Sequence, residues 1–63
     1  MMNQTIWYPG DRIIFGVKAH KGTVLRINES ITMANGEHPI EVQLDGKKVP
    51  FNLKSETLTR IEN

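Results

Sequence analysis

Apolar and polar residues alternate with a period of two along most of this chain, and no stretch of ten residues carries a helical period. The run "RIIFGVK" sets Ile13, Phe15 and Val17 on one face against Arg12, Ile14, Gly16 and Lys18 on the other, predicting a strand over 12–18. "YPGD" at 8–11 places a turn before it, since Pro9 and Gly10 favour a bend. A loop at 18–22 leads to "GTVLRIN", a second strand of mixed pattern, in which Thr23, Leu25 and Ile27 share one parity while Val24 is equally apolar. A strand that bends from one sheet of a small barrel to the other buries both parities in turn. "NESITMANGEH" at 28–38 is the longest irregular stretch; Ile31 and Met33 can prolong the second strand, with Asn35-Gly36 as a turn.

The segment "PIEVQLDGKKVPFN" predicts a hairpin with Asp45-Gly46 as a two-residue turn. In that register Leu44 faces Lys47, Val42 faces Val49 and Ile40 faces Phe51. Pro50 then lies opposite Glu41 at a non-hydrogen-bonded position, and its missing N–H marks an edge strand. "NLKSE" at 52–56 reads as a single helical or 3₁₀ turn, and "TLTRI" as a last short strand. The pattern thus predicts five short strands, all-β, with Phe15, Val17, Ile40, Val42, Val49, Phe51, Leu53, Leu58 and Ile61 as core.

Size and composition narrow this picture. Sixty-three residues make a single domain, 1–63, with 1–9 as an N-terminal segment and 10–61 as the barrel. A core this small leaves a net stability of only ~3–5 kcal/mol. Without cysteine there are no disulfides or thiolate metal sites, which suits a reducing compartment; the cytoplasm is the expected location. "MMNQTIWYPG" lacks the basic and apolar regions of a signal peptide, and no apolar run reaches the ~20 residues of a membrane helix. Net charge is only +1, but it is segregated. Residues 1–26 carry +3, 27–46 carry −4, 47–54 carry +3 and the last nine −1. Such blocks make a two-signed surface, which favours a specific partner over a general polyanion.

Strand, bend, strand, long loop, tight hairpin, one-turn helix and strand, in that order, resemble an SH3-like barrel over residues 10–61. The resemblance rests on "PGDRIIF", "KGTVLRI", "PIEVQLDG", "VPFNL" and "SETLTRI". It implies a five-stranded SH3-like barrel with a single 3₁₀ turn before the last strand. The first two segments also resemble the KOW motif of ribosomal and transcription proteins, through Lys21-Gly22-Thr23-Val24. Small photosynthetic adaptor subunits with SH3-like barrels have a similar layout. The plasmid-borne type II dihydrofolate reductases are similar at "GDRI" and "RIEN", but where they carry V-Q-I-Y this chain has "VQLD" at 42–45.

Candidate chemistry is sparse. His20 and His38 have no cysteines to complete a metal site, and Glu37, Glu41 and Asp45 are expected to spread into solvent. There is no phosphate cradle and no triad signal, so neither catalytic residues, a metal nor a cofactor is expected. The candidate binding residues are Trp7 and Tyr8 ahead of the first strand, Arg12 and Arg26, and the basic loop residues Lys18, His20 and Lys21. Either Trp7 or Tyr8 closes an end of the barrel, or both form an exposed aromatic rim. Lys47 and Lys48 beside Pro50 read as guards of an edge strand. The expected role is a non-catalytic binding module docking on another macromolecule. A protein partner is preferred to nucleic acid, because near-zero net charge and four aromatics limit counterion release and base stacking. The alternatives are a KOW-like RNA or DNA module and, third, a reductase of the type II kind.

Overall fold

The computed structural model describes residues 5–61. The first four and last two residues, including part of the expected N-terminal segment and of "RIEN", lie outside the described residues. Five strands form: β1 (Arg12–Phe15), β2 (His20–Ile27), β3 (Ile40–Leu44), β4 (Phe51–Leu53) and β5 (Leu58–Arg60), with a 3₁₀ turn at Ser55–Thr57. All pairings are antiparallel, in the order β4-β3-β2-β1-β5, and the sheet is strongly curled into a half-barrel. The strands β4 and β5 are its edges.

The opening turn forms as the sequence predicts. Gly10 takes φ +95°, the Asp11 amide donates to the Tyr8 carbonyl at 3.0 Å, and the Tyr8 amide donates to the Asp11 carboxylate at 2.9 Å. The first strand, however, stops at Phe15 instead of running to Lys18. Phe15 pairs with His20, and the four residues between them turn through Gly16 at φ +80° and Ala19 at φ +56°. Val17 therefore stands at a hairpin tip, fully exposed at 105% of its reference area, rather than in the core.

Strand β2 does bend. Val24 pairs with Val42 and Arg26 with Glu41, so Leu25 is the extra residue of a β-bulge. Because a bulge shifts side-chain parity, Val24 faces the core before it and Ile27 shares a face with Ile40 after it. Ile31 and Met33 do not extend the strand; residues 28–39 form a loop closed by the Asn28 amide on the Pro39 carbonyl at 2.9 Å. Asn28 is buried and fully engaged, its Nδ2 donating to Asn52 Oδ1 at 2.9 Å while its Oδ1 accepts from the Ser30 amide at 3.1 Å.

The third hairpin departs from the expected register by two residues. Val42 faces Phe51 and Ile40 faces Leu53, so β4 begins only after Pro50. The physical reason lies in the turn. A type I′ hairpin needs positive φ at both central residues, and here only Gly46 has it, at +82°. The Asp45 amide is instead held by the Lys21 carbonyl at 2.8 Å, which continues the β2–β3 ladder. A turn of that kind splays the strands, and 45–50 become a connection.

The core consists of Trp7, Ile13, Val24, Ile40, Val42, Leu44 and Leu58, with Phe15 and Leu53 packed partly buried against it. Ile61 is half-buried. Val17, Val49 and Phe51, expected inside, are exposed: the first by the early hairpin, the other two by the displaced edge strand. Among the described residues no helix is long and apolar enough to cross a membrane.

A candidate docking cleft and a basic end

The antiparallel meander brings the β1–β2 turn and the β3–β4 connection to one end of the sheet, and the bond from Asp45 to Lys21 ties them together. Lys18, His20, Lys21, Lys47 and Lys48 are all exposed there. The long β2–β3 loop, the N-terminal segment and the 3₁₀ turn meet elsewhere, around a cleft of about 670 Å³. Its apolar walls are Trp7, Ile27, Ile40 and Leu58, and its rim carries Glu37, His38 and Glu56 with no lysine or arginine. The charge blocks of the sequence do not map directly onto these two regions: of the acidic block only Glu37 reaches the cleft, where Glu56 joins it, while Asp45 lies at the cationic end paired with Arg12 and Glu41 pairs with Arg26.

Trp7 and Tyr8 part company. Trp7 is buried, 4% exposed, with its indole N–H donating to Ser55 Oγ at 2.6 Å and the Arg60 guanidinium 4.8 Å from its ring centroid. It both closes the core and forms one wall of the cleft. Tyr8 is 59% exposed beside it in sequence. Neither Arg12 nor Arg26 lines this cleft.

The arginines are committed elsewhere. Arg12 forms a two-pronged bond to Asp45, at 3.0 and 2.7 Å, and also donates to Thr23 Oγ1 at 2.7 Å. Arg26 pairs with Glu41 at 2.5 Å, its cross-strand neighbour. Arg60 bridges Asp11 at 3.0 Å and the Ile6 carbonyl. The hydrogen-bonded Arg12 pair holds the Asp45 carboxyl below its ordinary value and raises the guanidinium above its own. Asp11 is lowered too, first by the Tyr8 amide and then by Arg60. Among the described residues no lysine makes an ion pair, so Lys18 and Lys21 keep their charge available, whereas Arg12 and Arg26 do not.

Gly22, the glycine of the KOW-like stretch, has a structural cause. A Cβ there would lie 2.8 Å from the Gln43 carbonyl oxygen and 2.9 Å from Leu44 Cδ2. Only a residue without a side chain lets β2 approach β3 this closely. His38 is also explained locally, since its Nδ1 lies 2.8 Å from the Ile31 carbonyl and must donate to it. Among the described residues no three His, Asp or Glu side chains gather as a metal site requires.

The cleft escaped the sequence reading because its walls come from four separate segments. Ile27 and Ile40 meet through the bulged β2–β3 pairing, and Trp7 joins them through core packing with Ile40 and Leu58 and its bond to Ser55. Compared with family models, with curated proteins and with solved structures, the chain has no match.

Proposed function

We propose that this chain is an SH3-like barrel that serves as a non-catalytic docking module for another protein, engaged through the cleft beside Trp7. The meander with β1 between β2 and β5, and the 3₁₀ turn ahead of β5, support the barrel assignment. The observation that carries the function is the cleft itself, where Trp7, Ile27, Ile40 and Leu58 converge beneath carboxylates. Concave apolar sites with a few polar groups at the rim suit the anchoring side chain of a partner. A chain without cysteine suits work in the reducing cytoplasm.

The test is selection of a displayed peptide library on the immobilised domain, followed by affinity measurement on wild type and on Ile27→Glu. Enriched peptides should lose about tenfold or more in affinity, ~1.4 kcal/mol, while the far-ultraviolet spectrum of the variant stays that of the wild type. Peptides that bind both proteins equally would remove the cleft from the account.

A second reading has its own observation. Five exposed basic side chains on two joined turns and the start of β2 make a surface for a nucleic-acid backbone, in the manner of a KOW-like module. The ion pairing of Arg12 and Arg26 weighs against it, because the residues best suited to fork a phosphate are already occupied.

A further inference from the structure

The cleft asks for a particular occupant: an apolar side chain next to a cation. Its floor is hydrocarbon and indole, its rim carries Glu37, His38 and Glu56, and no lysine or arginine lines it; the Arg60 guanidinium over the Trp7 ring is already paired with Asp11. The chain presents that chemistry on its own surface. Val17 stands fully exposed at the tip of the β1–β2 turn, followed directly by Lys18, with Lys21 close behind. A valine at a hairpin tip gains nothing from water and packs on nothing in its own molecule. Gly16 and Ala19, both at positive φ, hold it there on a tight turn closed by the Ala19 amide on the Gly16 carbonyl at 3.1 Å.

We infer that the occupant of the cleft is the Val17-Lys18 hairpin tip of a second copy of this chain, so that the protein associates head to tail. This rests on the docking-cleft reading above and names its partner. The two regions are separate and opposite in sign, so one copy can offer its tip while its own cleft receives another. Such an interface is heterologous: it closes into a ring or continues as a short chain, rather than stopping at a two-fold dimer. The contact is small, one knob and its flanking charges, and therefore weak and reversible. Because the rim charges are exposed, added salt weakens it. Self-association also covers the cleft, so any other protein must compete with the tip.

Sedimentation equilibrium tests this on the full chain, from about 10 µM to about 1 mM, the range in which weak contacts populate. The weight-average mass should rise with loading above the 7.2 kDa of one chain, and fall back in high salt. Val17→Ser, which changes no charge and touches no packed residue, should return the protein to a monomer. Val49→Ser, an exposed valine on the other turn of the basic end, should not. A wild-type mass that stays at 7.2 kDa throughout overturns the inference, as does association that survives Val17→Ser. A monomer that still selects peptides lost in Ile27→Glu leaves the cleft standing as a site for another protein, and removes only the second copy.

Discussion

The indole N–H of Trp7 donates to the hydroxyl of Ser55 at 2.6 Å, joining the N-terminal segment to the 3₁₀ turn across the sheet. That bond fixes one wall of the cleft and seals the core in the same stroke. Ser55→Ala leaves a buried N–H without a partner, a loss of about 1–3 kcal/mol. Trp7→Ala removes about 3–5 kcal/mol, comparable with the whole stability of a chain this size. Urea titration followed by circular dichroism should show a lowered midpoint for Ser55→Ala and no folded baseline for Trp7→Ala.

Gly22 tolerates no side chain. In Gly22→Ala the new methyl meets the Gln43 carbonyl oxygen at 2.8 Å, and backbone cannot step aside as a flexible side chain does. Overpacking of this kind costs about 1–3 kcal/mol. The loss should appear in thermal unfolding even with no nucleic acid present; an unaltered melting temperature would contradict the packing explanation of this glycine.

Asn28 is the polar clasp of the long loop, holding the end of β2 to Asn52 in the middle of β4 and turning the chain at Ser30. Asn28→Ala should cost about 1–3 kcal/mol, because Asn52 and the Ser30 amide lose their partner. Amide hydrogen exchange should quicken across residues 28–39 more than in β1. Uniform quickening would mean that the loop has no clasp of its own.

Acid should weaken the fold through Asp45 and Asp11. Both carboxyls are lowered in the folded protein, so each contributes stability that is present above its unfolded value and disappears as pH falls through the folded one. The loss should therefore begin near pH 4 and deepen below it. In Asp45→Asn that part of the slope should flatten, while stability at neutral pH drops. Arg12 is raised above its ordinary, already strongly basic value, so its own protonation does not change across the same range.

The nucleic-acid reading can be judged by salt. With the three arginines paired, the free cations at the basic end are Lys18, Lys21, Lys47 and Lys48. Four phosphate contacts on a single strand give a slope of about −3 in log K against log salt. Fluorescence anisotropy of a labelled mixed-sequence RNA should show that slope, reduced to about half in Lys18→Ala with Lys21→Ala. A domain that gives no saturable binding at low salt leaves the lysines as solubilising charges.

Much of the architecture was legible in the order of residues. Alternation at 40–44 placed β3, "YPGD" placed the first turn, and the polar run before "TLTRI" placed the 3₁₀ turn, because each depends on neighbours in the chain. The bend in β2 was legible too, from Val24 breaking the parity of Leu25 and Ile27. What depended on distant partners was not. Asp45-Gly46 has the composition of a two-residue hairpin turn, and the Lys47 amide does reach the Leu44 carbonyl across it, yet the Lys21 carbonyl and Arg12 tie Asp45 to the strands behind it and β4 is displaced by two residues. No local pattern carries that information.

The candidate site residues divide along the same line. Charge segregation was written in the sequence, but the loop expected at 18–22 is not what forms: of its basic residues only Lys18 lies in the turn, while His20 and Lys21 open β2 and are exposed from a strand. Which cations stay free did not follow, since Arg12 and Arg26 are paired by strand register and Lys18 and Lys21 are left open. Likewise the sequence left open whether one of Trp7 and Tyr8 closes the barrel or both form an exposed rim, and only packing against Leu58 and Ser55 separated a buried wall from an exposed neighbour. The sequence by itself determined the strands and the sign of each segment, because propensity and charge are local properties. Tertiary structure alone decided the register, the pairing of charges and the cleft, because those are set by contacts between residues far apart in the chain.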